Sequence, residues 1–130
     1  MSDDPMVTID LLKALNDKEF RDAFLSSHLR QSIASQIRAL RLKHHLTQRQ
    51  LADGIGTSQN SITRWEDPTS ESSPQIGTLF RIAKFFDVGL IIRFVDWPTF
   101  IKWLGVLPDA PESWSAERMQ EFVSSLPCAA

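Results

Sequence analysis

Between residues 57 and 64 the chain concentrates short or planar hydrogen-bonding side chains: Thr57, Ser58, Gln59, Asn60, Ser61, Thr63 and Arg64. Groups of these types recognise rather than react. The amides of Asn and Gln donate and accept at once, which matches the major-groove edge of adenine, and the Arg fork meets guanine O6 and N7. If the stretch is a helix with Ile62 and Trp65 turned inward, the outward set is Ser58, Gln59, Asn60, Thr63 and Arg64. These five are the candidate base-contacting residues. Arg49 and Lys43 are candidates for phosphate contact or plain surface charges.

The elements that position this set are written around it. Thr47 and Gln50 form a capping box, which starts a helix at about Gln48. That helix ends at Gly54 or Ile55, because Gly56 supplies a left-handed turn without steric cost, and Thr57 or Ser58 caps the next helix. Ala52 is small enough for two helices to cross closely, and Leu51, Ile55, Ile62 and Trp65 fix the crossing by burial.

Upstream, Ile9, Leu11, Leu12 and Leu15 predict a short helix, and Phe20, Phe24, Leu25, Leu29, Ile33, Ile37 and Leu40 predict one buried face over 17 to about 44. A polar loop, Asp67 to Pro74, precedes a helix expected to be capped by Ser73 with Pro74 at its first position. Its expected buried face is Ile76, Leu79, Ile82, Ala83 and Phe86. Val88 to Val95 is apolar on both alternating faces and predicts one strand. A short helix from Pro98 to Leu104 and a final amphipathic one carrying Trp114, Met119, Phe122, Val123 and Leu126 complete the chain.

The stretch from Leu46 to Glu66, LTQRQLADGIGTSQNSITRWE, closely resembles the helix-turn-helix of the XRE family, the lambda-repressor-like or Cro/CI-type DNA-binding proteins. Thr47-Gln48, Leu51-Ala52, Gly56, Ser58-Gln59, Ile62 and Glu66 carry the likeness, which continues to about Phe86. It implies a mainly α, lambda-repressor-like bundle. By position it implies phosphate contacts from Gln48 and Ser61, joined by Thr57, and base contacts from Ser58, Gln59, Asn60 and Arg64. It also implies an internal ion pair between Arg41 and Glu66. The loop from Asp67 to Pro74 departs from the pattern, since it carries Asp67 and Glu71 and no Lys or Arg for phosphate.

Charge distribution agrees with a nucleic-acid surface in mid-chain. The net formal charge is −2, yet residues 28 to 66 carry six Lys or Arg against two Asp or Glu. Residues 1 to 27 carry three against six, and residues 104 to 130 one against four, so both ends are acidic. A single cysteine, Cys128, allows no internal disulfide, and His44 beside His45 lacks the three- or four-residue step of a helical metal pair. No nucleophile triad, paired carboxylates or glycine-rich phosphate loop is present, so no enzyme, cofactor or metal site is expected. An acidic start and no long apolar run predict a cytoplasmic protein without a membrane span.

The expected organisation is an N-terminal helical extension (1–27), a helix-turn-helix core (28–87), a dimerising strand and short helix (88–107) and a C-terminal tail with a helix (108–130). Dimerisation is expected through Leu90, Ile91, Ile92, Arg93, Phe94, Val95 and Trp97. Such a chain would act in a prokaryote or phage as a homodimeric repressor on double-stranded DNA with a pseudo-palindromic operator. The alternatives are an antitoxin that binds a toxin and autoregulates its operon, or a protein-interaction module without DNA binding.

Overall fold

The computed structural model describes residues 8–104 and 110–127, and it is helical wherever it is regular. Thr8 opens α1 (Ile9–Ala14) by accepting from the Leu11 amide, and Asp17 opens α2 (Lys18–Lys43) by accepting from the Phe20 amide. A single helix of 26 residues therefore covers the whole predicted span. It is followed by α3 (Gln48–Ile55), α4 (Gln59–Trp65), α5 (Ile76–Phe86), α6 (Trp97–Trp103) and α7 (Ala116–Ser125).

The core lies under only part of this array. Ile37 and Leu40 of α2, Leu51, Ala52 and Ile55 of α3, Ile62 of α4, and Ile82 and Phe86 of α5 form one cluster, with Ile33, Leu46, Trp65 and Val88 at its margin. The expectation of one buried face from Phe20 to Leu40 is corrected in its first half: Phe20, Leu25 and Leu29 are exposed. Periodicity marks a helical face, but burial needs a neighbour, and α3, α4 and α5 cover only the C-terminal half of α2.

The start of α5 is also corrected. Its cap is Gln75, whose carbonyl accepts from the Thr78 and Leu79 amides, and Pro74 stands outside the helix. That phase puts Thr78, Ile82 and Phe86 on one row four residues apart, so Thr78 is buried and Ile76 is exposed.

No strand forms at residues 88–95, or anywhere among the described residues. A strand exists only by pairing, and the amides from 89 to 95 donate to no described backbone group. Residues 88–95 leave the end of α5 as an irregular segment and enter α6 through Asp96, whose carboxylate accepts from the Thr99 amide. Hydrogen bonding from the Thr99 hydroxyl, and then from its amide, holds the Asp96 carboxyl below its ordinary range.

Candidate nucleic-acid interface

The geometry of residues 47–66 is built by caps and close contacts. The Gln50 amide donates to Thr47 Oγ1 at 3.1 Å, and the Thr47 amide donates to Gln50 Oε1 at 2.8 Å, which completes the capping box. Gly56 ends α3 at φ +74°, where a side chain would be strained, and Arg81 then secures the end. Its Nη1 donates to the Ile55 carbonyl at 2.9 Å and its Nη2 to Thr78 Oγ1 at 3.2 Å. The sequence reading missed Arg81; the only local sign was its three-residue step from Thr78. Gly54 has a separate role, since a Cβ there would collide with the Phe85 ring. Ser58 caps α4, with the Ser61 amide donating to Ser58 Oγ at 3.1 Å.

The five candidate base contacts divide into two groups. Gln59, Asn60 and Arg64 are exposed, and the Gln59 and Asn60 amides bond to no described residue. Arg64 reaches Ser61 Oγ only at 3.4 Å. Ser58 is occupied by its cap, and Thr63 donates toward Gln48 Oε1 at 2.8 Å or the Gln59 carbonyl at 3.0 Å. Thr63 and Gln48 therefore tie α4 to the start of α3. Short hydroxyls inside a helix commonly bond locally in this way, so residue type alone does not separate reading groups from holding groups.

Among the phosphate candidates, Arg49 is exposed, and Thr57, Ser61 and Gln48 are half-buried. Lys43 points elsewhere. Its ammonium donates to the Ala110 carbonyl and to Glu112 Oε1, both at 2.8 Å, and the hydrogen bond from Lys43 holds the Glu112 carboxyl below its usual range. No sequence pattern links residues so far apart. The same C-terminal strap is pinned by Ser113 Oγ to the Phe86 carbonyl at 2.6 Å and by the Trp114 amide to the Asp87 carbonyl at 2.7 Å. It thereby satisfies carbonyls at the end of α5.

Arg41 and Glu66 meet in a two-pronged pair, Nε to Oε2 at 2.7 Å and Nη2 to Oε1 at 2.8 Å. A third donor, Nη1, reaches the Leu46 carbonyl at 2.9 Å. The side chains are only 12% and 4% exposed, and the bond to Glu66 raises the Arg41 pKa above its ordinary value. Arg41 therefore has no fork to offer a phosphate; it locks the end of α4 to α2 and to the turn before α3.

Leu90, Ile91, Ile92, Arg93, Phe94 and Val95, the candidate dimer contacts, are all exposed, while Trp97 is half-buried against the Phe100 ring at 5.0 Å. His44 stands against Phe86 at the end of α2 and His45 turns the chain at φ 56°, so neither lies within a helix. Among the described residues no group of His, Cys, Asp or Glu is placed to hold a metal, and no helix is long and apolar enough to cross a membrane.

Residues 37–92 match the helix-turn-helix family. The chain is 38% identical over 55 residues to the cryptic phage CTXphi transcriptional repressor RstR of Vibrio cholerae, a stretch covering 42% of this chain and 48% of that protein. The match thus spans about half the length of the curated relative. No solved structure matches the chain. The family match bears out the resemblance carried by Leu46 to Glu66.

Proposed function

Residues 37–92 form a helix-turn-helix domain of the XRE type, and from that premise we propose that the chain is a sequence-specific regulator of transcription that binds double-stranded DNA. One observation carries the reading: α4 is fixed on three sides, by the cluster that holds its Ile62 with Leu51, by Gln48 beside it and by Arg41 at its end, while Gln59, Asn60 and Arg64 stand free on its outer face. A rigid helix that presents two amides and a guanidinium is equipped to read base edges in a major groove.

In this reading α4 is the recognition helix. Gln59, Asn60 and Arg64 contact bases, and Ser58 and Thr63 position them. Arg49, Thr57, Ser61 and Gln48, around the start of α3 and α4, take the phosphates. Lys43 is not among them while Glu112 holds it. The regulator acts as a repressor: two copies occupy a pseudo-palindromic operator, with recognition helices about 34 Å apart, and block polymerase by occupancy. The similarity to a protein described as a transcriptional repressor supports repression. Residues 28–87 are the DNA-reading unit, and the segments on either side serve assembly.

Selection of bound sequences from a random duplex pool at stated salt, followed by footprinting, tests this. The expected result is a short motif, repeated with two-fold symmetry, whose affinity falls steeply with salt as phosphate counterions are released. Absence of binding, or binding indifferent to salt, overturns it.

A further inference from the structure

Two apolar faces leave the end of α5 uncovered. In residues 90–95, Leu90, Ile91, Ile92, Phe94 and Val95 are all exposed, Ile91 at 87% and Phe94 fully. On α7 and its C-cap, Met119, Phe122, Val123 and Leu126 share one helical face, and each is about half exposed. Taking roughly 150–250 Å² for a whole aromatic side chain and less for an aliphatic one, each face presents on the order of 500 Å² of apolar surface, already as large as the largest patch on a typical monomer.

We propose that a second copy of this chain covers both faces, with α7 of each protomer lying across residues 90–95 of the other. This deepens the two-fold assembly proposed above and rests on it. The two faces together give about 1000 Å² per protomer and about 2000 Å² in the pair, which is the area of a stable dimer interface. The strap fixes where α7 begins: through Ser113 and Trp114 it is tied to Phe86 and Asp87, the point from which residues 88–95 also depart. Within one chain that anchorage leaves Phe94 bare. Across a two-fold axis the same anchorage offers each α7 the other protomer's segment, and the exchange is reciprocal.

Dimensions agree. Ten residues of α7 span about 15 Å, and six residues of chain reach at most about 20 Å. Arg93 is the one charged residue between Val88 and Val95, and Glu117 and Glu121 of α7 lie on the side of the helix away from Met119, Phe122 and Val123, so the contact joins apolar side chains.

The test uses the full chain in a Cys128→Ser background, without DNA. Chains carrying Phe94→Cys are mixed with chains carrying Phe122→Cys and oxidised. The mixture should give the mixed disulfide at least tenfold in excess of either homodimer, and sedimentation should show a dimer at micromolar concentration. Phe94→Asp, which sets a charge into the apolar contact, should weaken self-association at least tenfold. Closure of both cysteines within one chain, placed together as Phe94→Cys/Phe122→Cys, would show that α7 covers its own segment and would overturn the proposal. So would a dimer linked only through Phe94→Cys, although two-fold assembly would survive it. A wild-type chain that sediments as a monomer while still selecting a DNA sequence overturns this inference and leaves the reading of α4 intact.

Discussion

Between Ile37 and Val88 the apolar side chains converge on one cluster, whereas those of residues 90–95 and of α7 face solvent. The two regions have similar residue types. The first is rich in pairwise constraints: a capping box, a left-handed glycine, a buried ion pair and an Arg81 clasp. The second has helix caps but little underneath them, and it is held to the first by a short strap. The contrast teaches that an apolar pattern specifies a fold only where other elements of the same chain are there to meet it.

The largest test of this difference lies in the ion pair. Glu66→Ala should strand the Arg41 guanidinium and cost about 3–5 kcal/mol in urea unfolding, because one charge of a buried pair is left without its partner. The Arg41→Met/Glu66→Leu double variant should recover much of that loss. Equal, additive costs would remove the pair from the list of constraints.

Leu51→Ala comes next. Leu51 has no exposed surface, so its truncation should cost about 2–5 kcal/mol at any protein concentration. Phe94→Ala should instead shift the thermal midpoint only at concentrations where two copies meet, and do nothing in dilute solution. If Phe94→Ala destabilises the isolated chain as Leu51→Ala does, the two regions are not distinct in kind.

Smaller effects are expected on the reading face. Arg64→Ala or Gln59→Ala should each relax preference at one position per half-site, by about 1–3 kcal/mol if the lost contact is bidentate. Stability should be unchanged. Gln48→Ala should weaken all sequences about equally and also loosen Thr63. The discriminating measurement is repeated sequence selection with each variant; an unaltered motif for Gln59→Ala would mean that α4 is not docked by that face.

The smallest effect concerns His28, which lies 5.1 Å from the Phe100 ring and joins α2 to α6 outside the main core. Burial lowers its pKa below the ordinary 6.5. The unfolded chain therefore binds this proton more readily, so stability is complete above pH 6.5 and falls as pH drops toward the lower native value. Comparing wild type with His28→Phe by unfolding at pH 7.5 and 5.5 should show a slightly smaller acid loss in the variant. An identical loss would mean that this contact does not report on folding.

The turn, its caps and the Arg41–Glu66 pairing were legible in the sequence because each is set by neighbours close along the chain or by a shared motif. Gly56, Thr47 with Gln50, and Ser58 belong to this class. The strand at 88–95 was misread because alternation of apolar residues describes a face and says nothing about a pairing edge. The bond from Lys43 to Glu112 was not legible because the two lie 69 residues apart, and no local rule joins them. The outward position of Thr63 was legible in the same way, while its bond to Gln48 was not.

On α4 the free amides at 59 and 60 and the tied hydroxyl at 63 are different residues. On the proposed reading, descendants of such a chain can change Gln59 or Asn60 singly, acquiring a new DNA word without disturbing the scaffold that utters it. Position 63 lacks that liberty. A change there unmakes a bond to Gln48, so across divergent relatives 63 and 48 should drift together while 59 and 60 drift alone.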